Sequence, residues 1–142
     1  MPLVSITRLR VRSWKYLPAF FVATARSVFQ ARRAKGNLAI SMLREARNTF
    51  WTRSLWTDEA AMLTFMTSGA HRTIMPNLLE WCDEASVARW VQDSVEKPGW
   101  DEVHRRMQSE GRPSKVNHPS AAHRAYDLPP PKARRFGELR LK

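Results

Sequence analysis

The spacing of apolar residues changes along this chain in an order that few folds accommodate. Alternation with a period of two over residues 3–12, 38–43, 49–56 and 86–92 predicts four strands. Helical spacing between the first and second strands, and again between the third and fourth, predicts a helix in each interval. The order β-α-β-β-α-β is typical of an α+β, ferredoxin-like fold, with a four-stranded antiparallel sheet and helices on one face.

Turn and cap residues support these boundaries. Pro18 suits the first turn of the first helix, and Gly36 predicts the turn that ends it. Thr57 is the expected N-cap of the second helical region, which Gly69 interrupts. We predict that the helix resumes over residues 70–84, with a break or kink near Pro76.

Composition divides the 142 residues into three parts. We predict a ferredoxin-like α/β-barrel domain over residues 1–97 and a short helix over 98–110. Residues 111–142 are basic and proline-rich, which predicts a flexible tail, and Pro129–Pro131 is typical of polyproline II.

The third predicted strand carries large residues on both faces, with Trp51 on one side and Trp56 on the other. Helices cover only one face of a ferredoxin-like sheet, so the second face needs another cover. A second copy of the chain is the simplest cover, because a symmetric dimer buries like faces together. We therefore expect a homodimer.

The net charge of +11 suggests nucleic acid at first sight, but its distribution does not favour that partner. Residues 1–53 carry +10, residues 54–103 carry −6 and residues 104–142 carry +7. Opposite blocks can attract each other within or between subunits, so we expect surface complementarity and consider nucleic acid unfavoured. A polyanion-binding protein stays open as an alternative.

Several cofactor and targeting classes lack their motifs. No apolar run reaches the ~20 residues needed to cross a bilayer, and the acid-free N-terminal stretch forms predicted elements, so we expect a cytoplasmic protein. No glycine-rich nucleotide loop, zinc helix or flavin motif is present. Cys82 is the single cysteine, and we expect it to be buried and inert. We predict no metal site and no flavin or nicotinamide cofactor.

The run Phe50-Trp51-Thr52-Arg53-Ser54-Leu55-Trp56-Thr57-Asp58-Glu59-Ala60-Ala61-Met62, followed by Phe65-Met66 and Ser68-Gly69-Ala70-His71, resembles a known family. It is similar to the antibiotic-biosynthesis-monooxygenase group of dimeric α/β barrels, and within it to spheroidene-monooxygenase-like proteins. The resemblance covers about residues 3–95. It implies an oxygenase-like or haem-handling protein, although the group also has members with no assigned reaction.

Two residues are candidates for chemistry. The resemblance places His71 near the mouth of the barrel, where it could be a catalytic acid/base or an axial haem ligand. The structural alternative is a histidine that hydrogen-bonds across a helix break. Arg53 could hold a carboxylate or an oxyanion of a substrate, and its alternative is an ion pair with acids at 58–59 or 83–84.

Aromatic and methionine side chains could line a cavity for an apolar or aromatic small molecule, although such residues are more often plain core. The candidates for this pocket are Trp51, Trp56, Met62, Phe65, Met66 and Met75. The competing hypotheses are a small oxygenase-like or haem-binding barrel and a non-catalytic ligand-binding or interaction protein of the same fold.

Overall fold

Across residues 1–46, 48–129 and 138–142, which this computed structural model describes, six strands form one sheet in the order β5-β4-β1-β3-β2-β6. Each neighbouring pair of strands is antiparallel. The strands are β1 (Leu3–Val11), β2 (Asn37–Ala46), β3 (Thr49–Trp56), β4 (Cys82–Val91), β5 (Arg112–Pro113) and β6 (Glu138–Arg140).

Helices lie on both faces of this sheet. A short 3-10 turn at Trp14–Tyr16 leads into the first helix. The helices are α1 (Leu17–Arg33), α2 (Glu59–Met66), α3 (Gly69–Trp81), α4 (Trp100–Glu110) and α5 (Ala121–Ala125). The first three pack on one face, and α4 packs on the other.

The central order β4-β1-β3-β2 confirms the ferredoxin-like α+β prediction. The prediction of four strands was wrong, because β5 pairs with the outer edge of β4 and β6 pairs with the outer edge of β2. Strands of two and three residues have too few positions to produce a readable alternation. Their pairing uses backbone groups that an open sheet edge would otherwise expose.

The second face of the sheet is covered by the chain itself. Val103 and Met107 of α4 are fully buried against β-strand residues such as Val4 and Ile6. Leu128 closes the same cluster further along the chain. The expected homodimer would cover a face that α4 already fills, so the homodimer stays a prediction without this support.

Residues 111–129, which the sequence predicts as part of a flexible tail, run along the edge of β4 and the end of α3. The backbone amide of Ser114 donates to the carbonyl of Ala85 at 2.8 Å, and that of Asn117 donates to Leu79 at 2.8 Å. Val116 is buried in the cluster that contains Phe20. Of the predicted polyproline segment, residues 130 and 131 lie outside the described residues.

Two local boundaries differ from the sequence prediction. The N-cap of α2 is Asp58 rather than Thr57, because the Asp58 carboxylate accepts a hydrogen bond from the amide of Ala61 at 2.8 Å. The helical region ends at Trp81, and β4 begins at Cys82 through pairing with β1. Strand pairing between distant segments overrides the helical spacing there.

Candidate ligand cavity

A cavity of about 380 Å³ lies between the sheet and the helices α1, α2 and α3. Five of the six predicted pocket residues line it, and they share an apolar or aromatic character. These residues are Trp56, Met62, Phe65, Met66 and Met75. Trp51 is not with them, because it points to the opposite face of the sheet and is fully buried beneath α4.

Small side chains on the sheet create the space. Ser5 lies opposite Ser54, and Thr7 lies opposite Thr52, in the register between β1 and β3. All four line the cavity, as does Ala23 on α1 above them. Large residues at these facing positions would fill the gap between the layers. Sequence reasoning overlooked this set, although the serine and threonine alternation in two paired strands was the readable signal.

An aromatic stack forms one wall. The rings of Trp56 and Phe65 lie 5.2 Å apart at 29°, and the rings of Phe65 and His71 lie 4.8 Å apart. The indole Nε1 of Trp56 donates to the hydroxyl of Ser54 at 3.0 Å, which fixes the ring. Stacked and tilted arrangements of this kind are favourable for aromatic groups, so the wall offers a surface for a flat ligand.

The break between α2 and α3 holds His71. Its Nδ1 lies 3.1 Å from the carbonyl oxygen of Met66, and its backbone amide donates to Gln30 Oε1 at 2.9 Å. The amide nitrogen of Gln30 donates in turn to the carbonyls of Phe65 and Ser68. Gln30 therefore ties α1 to both sides of the break and sets where the imidazole lies.

Burial lowers the pKa of His71, and the charge of Arg89 lowers it further, while the hydrogen bond with Met66 opposes both effects. The imidazole is therefore neutral at pH above its ordinary pKa of 6.5. A carbonyl oxygen can only accept, so Nδ1 carries the proton and Nε2 carries the lone pair. This arrangement gives the cavity wall a neutral nitrogen base.

Arg89 on β4 brings a positive charge to the same cavity. Its guanidinium donates to the sulfur of Met66 at 3.1 Å, and its buried Nε has no hydrogen-bond partner in the described part of the chain. Burial lowers its pKa, Arg112 acts in the same direction, and Glu59 opposes them. Sequence reasoning placed Arg89 on a strand face but did not select it as a site residue.

The segment after α4 completes the cavity. Ser114, Lys115 and Val116 line it together with residues of α1, α3 and the sheet. Of these three residues, Val116 is buried and Lys115 is exposed. Since β5 pairs with β4 immediately before Ser114, the C-terminal extension has a fixed position at the site.

Arg53 lies on the other face of the sheet, away from His71. Its guanidinium donates to Glu138 and to the carbonyl of Pro98, each at 2.6 Å, and lies 4.4 Å from the ring centre of Trp100. An ion pair was the predicted alternative for Arg53, although the partner is Glu138 rather than an acid at 58–59 or 83–84. These contacts join β3, α4 and β6 and leave Arg53 outside the cavity.

The arginine stripe of β1 also belongs to the structure of the sheet. Arg8 and Arg10 do not lie on an edge strand, because β1 is between β4 and β3. Arg8 is 3% exposed and donates to Glu84 at 2.7 Å, with Glu45 at 3.4 Å. Arg10 also donates to Glu84, at 2.8 Å.

Comparison with known proteins identifies the fold. No protein-family model and no curated protein matches the sequence. Three solved structures illustrate the likeness: a variant of SnoaB, a cofactor-independent oxygenase from Streptomyces nogalater; a protein from Nitrosomonas europaea whose name assigns it to the antibiotic biosynthesis monooxygenases; and Rv0793 from Mycobacterium tuberculosis.

The likeness covers the ferredoxin-like part of the chain. Identities are 17%, 17% and 12%, and TM-scores are 0.55, 0.58 and 0.59, in the same order. The matched regions cover 66%, 65% and 66% of this chain. They cover 94%, 90% and 97% of the chains of SnoaB, the Nitrosomonas europaea protein and Rv0793, respectively. The chain therefore has the α+β fold of antibiotic-biosynthesis-monooxygenase proteins, and the finer resemblance to spheroidene-monooxygenase-like proteins stays a prediction.

In the described residues, no helix has the length and apolarity to cross a membrane.

Proposed function

We propose that this protein is oxygenase-like and binds a flat, apolar or aromatic small molecule that carries an acidic group. The observation that carries this proposal is the pairing of a neutral base, His71, with the cation of Arg89 in one aromatic cavity. Such a pair suits removal of a proton from a ligand and stabilisation of the anion that remains.

The cavity supports this ligand class by its size and its lining. Its volume of about 380 Å³ lies near the lower end of the range for small-molecule pockets, which favours a compact ligand. The stack of Trp56 and Phe65 offers a flat apolar surface. Among the described residues Arg89 forms no ion pair with a carboxylate, and its buried Nε has no hydrogen-bond partner, so a ligand anion would complete its hydrogen bonding.

In the proposed reaction, Nε2 of His71 takes a proton from an acidic O–H or C–H of the ligand. Arg89 balances the negative charge that develops, and the surrounding apolar wall strengthens this attraction by excluding water. The resulting anion is electron-rich, and molecular oxygen would be its oxidant. For a ligand CH2 group, two C–H bonds are replaced by a C=O bond to one oxygen atom, and the other oxygen atom leaves as water with the two hydrogens, so the ligand supplies all four electrons. The fold shared with a cofactor-independent oxygenase supports a reaction that needs no bound cofactor.

Haem binding is the second candidate function. Nδ1 of His71 is hydrogen-bonded to Met66, so Nε2 would hold the iron of a bound haem, and Arg89 would contact its anionic side groups. Iron in that group would supply oxygen chemistry when bound. The compact cavity favours the small aromatic ligand over a macrocycle. A non-catalytic ligand-binding protein uses the same cavity and differs by the absence of turnover.

The ligand class is tested with two fluorescent probes of similar shape, anilinonaphthalene sulfonate and the uncharged phenylnaphthylamine. We expect the Arg89→Met variant to bind the sulfonate about tenfold or more weakly, because a charged hydrogen bond is lost, and to retain the neutral probe. The matched control is Arg105→Met, at an exposed arginine of α4. Equal losses for both probes, or for both variants, would contradict a specific anion contact.

The role of His71 is tested by oxygen consumption with an aromatic hydroxy compound and by titration with haemin. Oxygen uptake that His71→Ala abolishes supports the base. A Soret shift that the same variant removes supports haem instead, and no shift at all excludes it. Ligand binding without oxygen uptake or Soret shift identifies a non-catalytic binding protein. A measurement of mass in solution tests the homodimer, which this function does not require.

A further inference from the structure

The outward face of α1 and the turn before it expose several large apolar side chains. Trp14 is 82% exposed, Phe29 is 56%, Val22 is 54% and Phe21 is 42%. Val22 and Phe29 lie on the side of α1 opposite its buried residues, which include Phe20, and Trp14 belongs to the 3-10 turn that precedes the helix. Exposed apolar groups clustered in this way mark interaction surfaces more often than scattered ones do.

Basic residues run through the same face. Val22, Arg26, Phe29 and Arg33 follow one another at spacings of four, three and four residues, which places them in one stripe along the helix. The guanidinium of Arg33 lies 4.1 Å from the ring centre of Phe29. The stripe is therefore apolar and cationic together, and not simply a solvated charged surface.

Negative charge is scarce around this stripe. The first acidic residue of the chain is Glu45, beyond the end of α1. The ion pairs of the described residues do not include Arg26, Arg32 or Arg33. Asp58 lines a surface hollow together with Phe29 and Arg33, and its carboxylate caps α2. The cationic groups of the stripe are thus available to an external anion.

We propose that this face of α1 docks on the surface of an anionic lipid bilayer. Exposed aromatic and aliphatic side chains would enter the boundary between headgroups and acyl chains, and the flanking arginines would contact the lipid phosphates. Trp14, at the start of the helix, is of the residue type that favours this boundary. The aliphatic Val22 and the aromatic Phe29 favour lipid over nucleic acid, which offers the stripe mainly phosphates and base faces.

The helix is already folded and packed, so docking needs no ordering of the chain. Its inner side also forms a wall of the ligand cavity through residues that include Thr24 and Ser27. The proposal does not depend on the function proposed above, because it rests on the outer side of α1. It adds a source for an apolar ligand, namely the bilayer on which the cavity wall would lie.

The test is sedimentation of the full chain with vesicles of phosphatidylcholine alone and of equimolar phosphatidylglycerol and phosphatidylcholine. One double variant, Arg26→Gln with Arg33→Gln, removes charge, and its control is Arg105→Gln with Arg124→Gln at exposed sites elsewhere. A second, Trp14→Ser with Phe29→Ser, removes apolar area. Its control is Val91→Ser with Val95→Ser, at positions that are 55% and 65% exposed.

We expect binding to the anionic vesicles only. Loss of two arginines should weaken that binding roughly 30-fold at low salt, since each cation near such a surface contributes independently. The apolar variant should also bind more weakly, and both controls should bind like the wild type. Equal binding to neutral vesicles, no binding to anionic vesicles, or controls that lose as much as the test variants would overturn the proposal. So would a DNA duplex that displaces the protein from the vesicles, since it would identify a general polyanion surface.

Discussion

His71 and Met66 face each other across the break between α2 and α3, with the imidazole Nδ1 3.1 Å from the Met66 carbonyl oxygen. The sequence allowed either a functional histidine or one that hydrogen-bonds across this break, and the hydrogen bond is present. The same bond fixes the tautomer and leaves Nε2 as the nitrogen with a lone pair. The hydrogen bond with Met66 is thus a structural contact that also keeps Nε2 of His71 available as the proposed base.

Stability should depend on pH through His71. Burial lowers its pKa in the folded chain below the ordinary value of 6.5, so the unfolded chain binds more protons just below that pH. The free energy of unfolding of the wild type should therefore decrease as the pH falls below 6.5. The free energy of unfolding of His71→Gln should decrease less over the same pH range. Thermal unfolding between about pH 7 and about pH 5 measures this difference. Identical pH slopes for the two proteins would show that His71 does not titrate as proposed.

The carboxylate of Glu84 joins β1 to β4 and to the C-terminal segment. It accepts from Arg8 at 2.7 Å, from Arg10 at 2.8 Å and from Ser120 at 2.9 Å. Burial raises its pKa, but these hydrogen bonds outweigh burial and hold the pKa below its ordinary value. Glu84→Gln should lower the free energy of unfolding by about 3–5 kcal/mol, because it leaves a buried cation underpaired.

Urea denaturation measures this loss. The matched control is Glu80→Gln, because Glu80 also pairs with an arginine of β1, Arg12, but its side chain is 45% exposed. We expect a much smaller change there, since solvent screens exposed pairs. Comparable losses at the two positions would argue that burial of Glu84 does not matter.

Substitution of Met107 tests whether α4 packs on the second face of the sheet. Its side chain is fully buried. Met107→Ala should cost about 2–5 kcal/mol of stability by leaving a cavity, and it should not alter binding of the fluorescent probes on the other side of the sheet. Chemical denaturation and probe titration check the two parts. An unchanged stability would indicate that α4 is not packed as described.

Cys82 should resist thiol reagents in the native protein. The thiol is fully buried, and burial raises its pKa to about 12, with a contribution from Asp83. Since the thiolate is the reactive form, labelling by an aromatic disulfide reagent should become fast only when the chain unfolds. Rapid stoichiometric labelling without denaturant would contradict this burial.

The strands and helices of the ferredoxin-like part followed from local spacing. The alternation over residues 49–56 matches β3, and the short helix predicted over residues 98–110 corresponds to α4, which begins two residues later at Trp100. Arg89 was harder to select, because its position in an alternating strand does not reveal which of the two faces borders a cavity. Trp51 was assigned to the pocket for the same reason: a strand with large residues on both faces does not indicate what covers each.

The sequence by itself determined the order of the four central strands and of the helical segments between them, the ferredoxin-like topology and most of the aromatic wall, because periodicity is a local property of the chain. Only the tertiary structure decided that α4 covers the second face and that residues 111–129 line the edge of β4 and the cavity. Those contacts join positions far apart in the chain and depend on shape and on unpaired backbone groups at sheet edges. The excess of basic residues was visible from the start, but only the fold separated the buried pairs of β1 from the exposed arginines of α1.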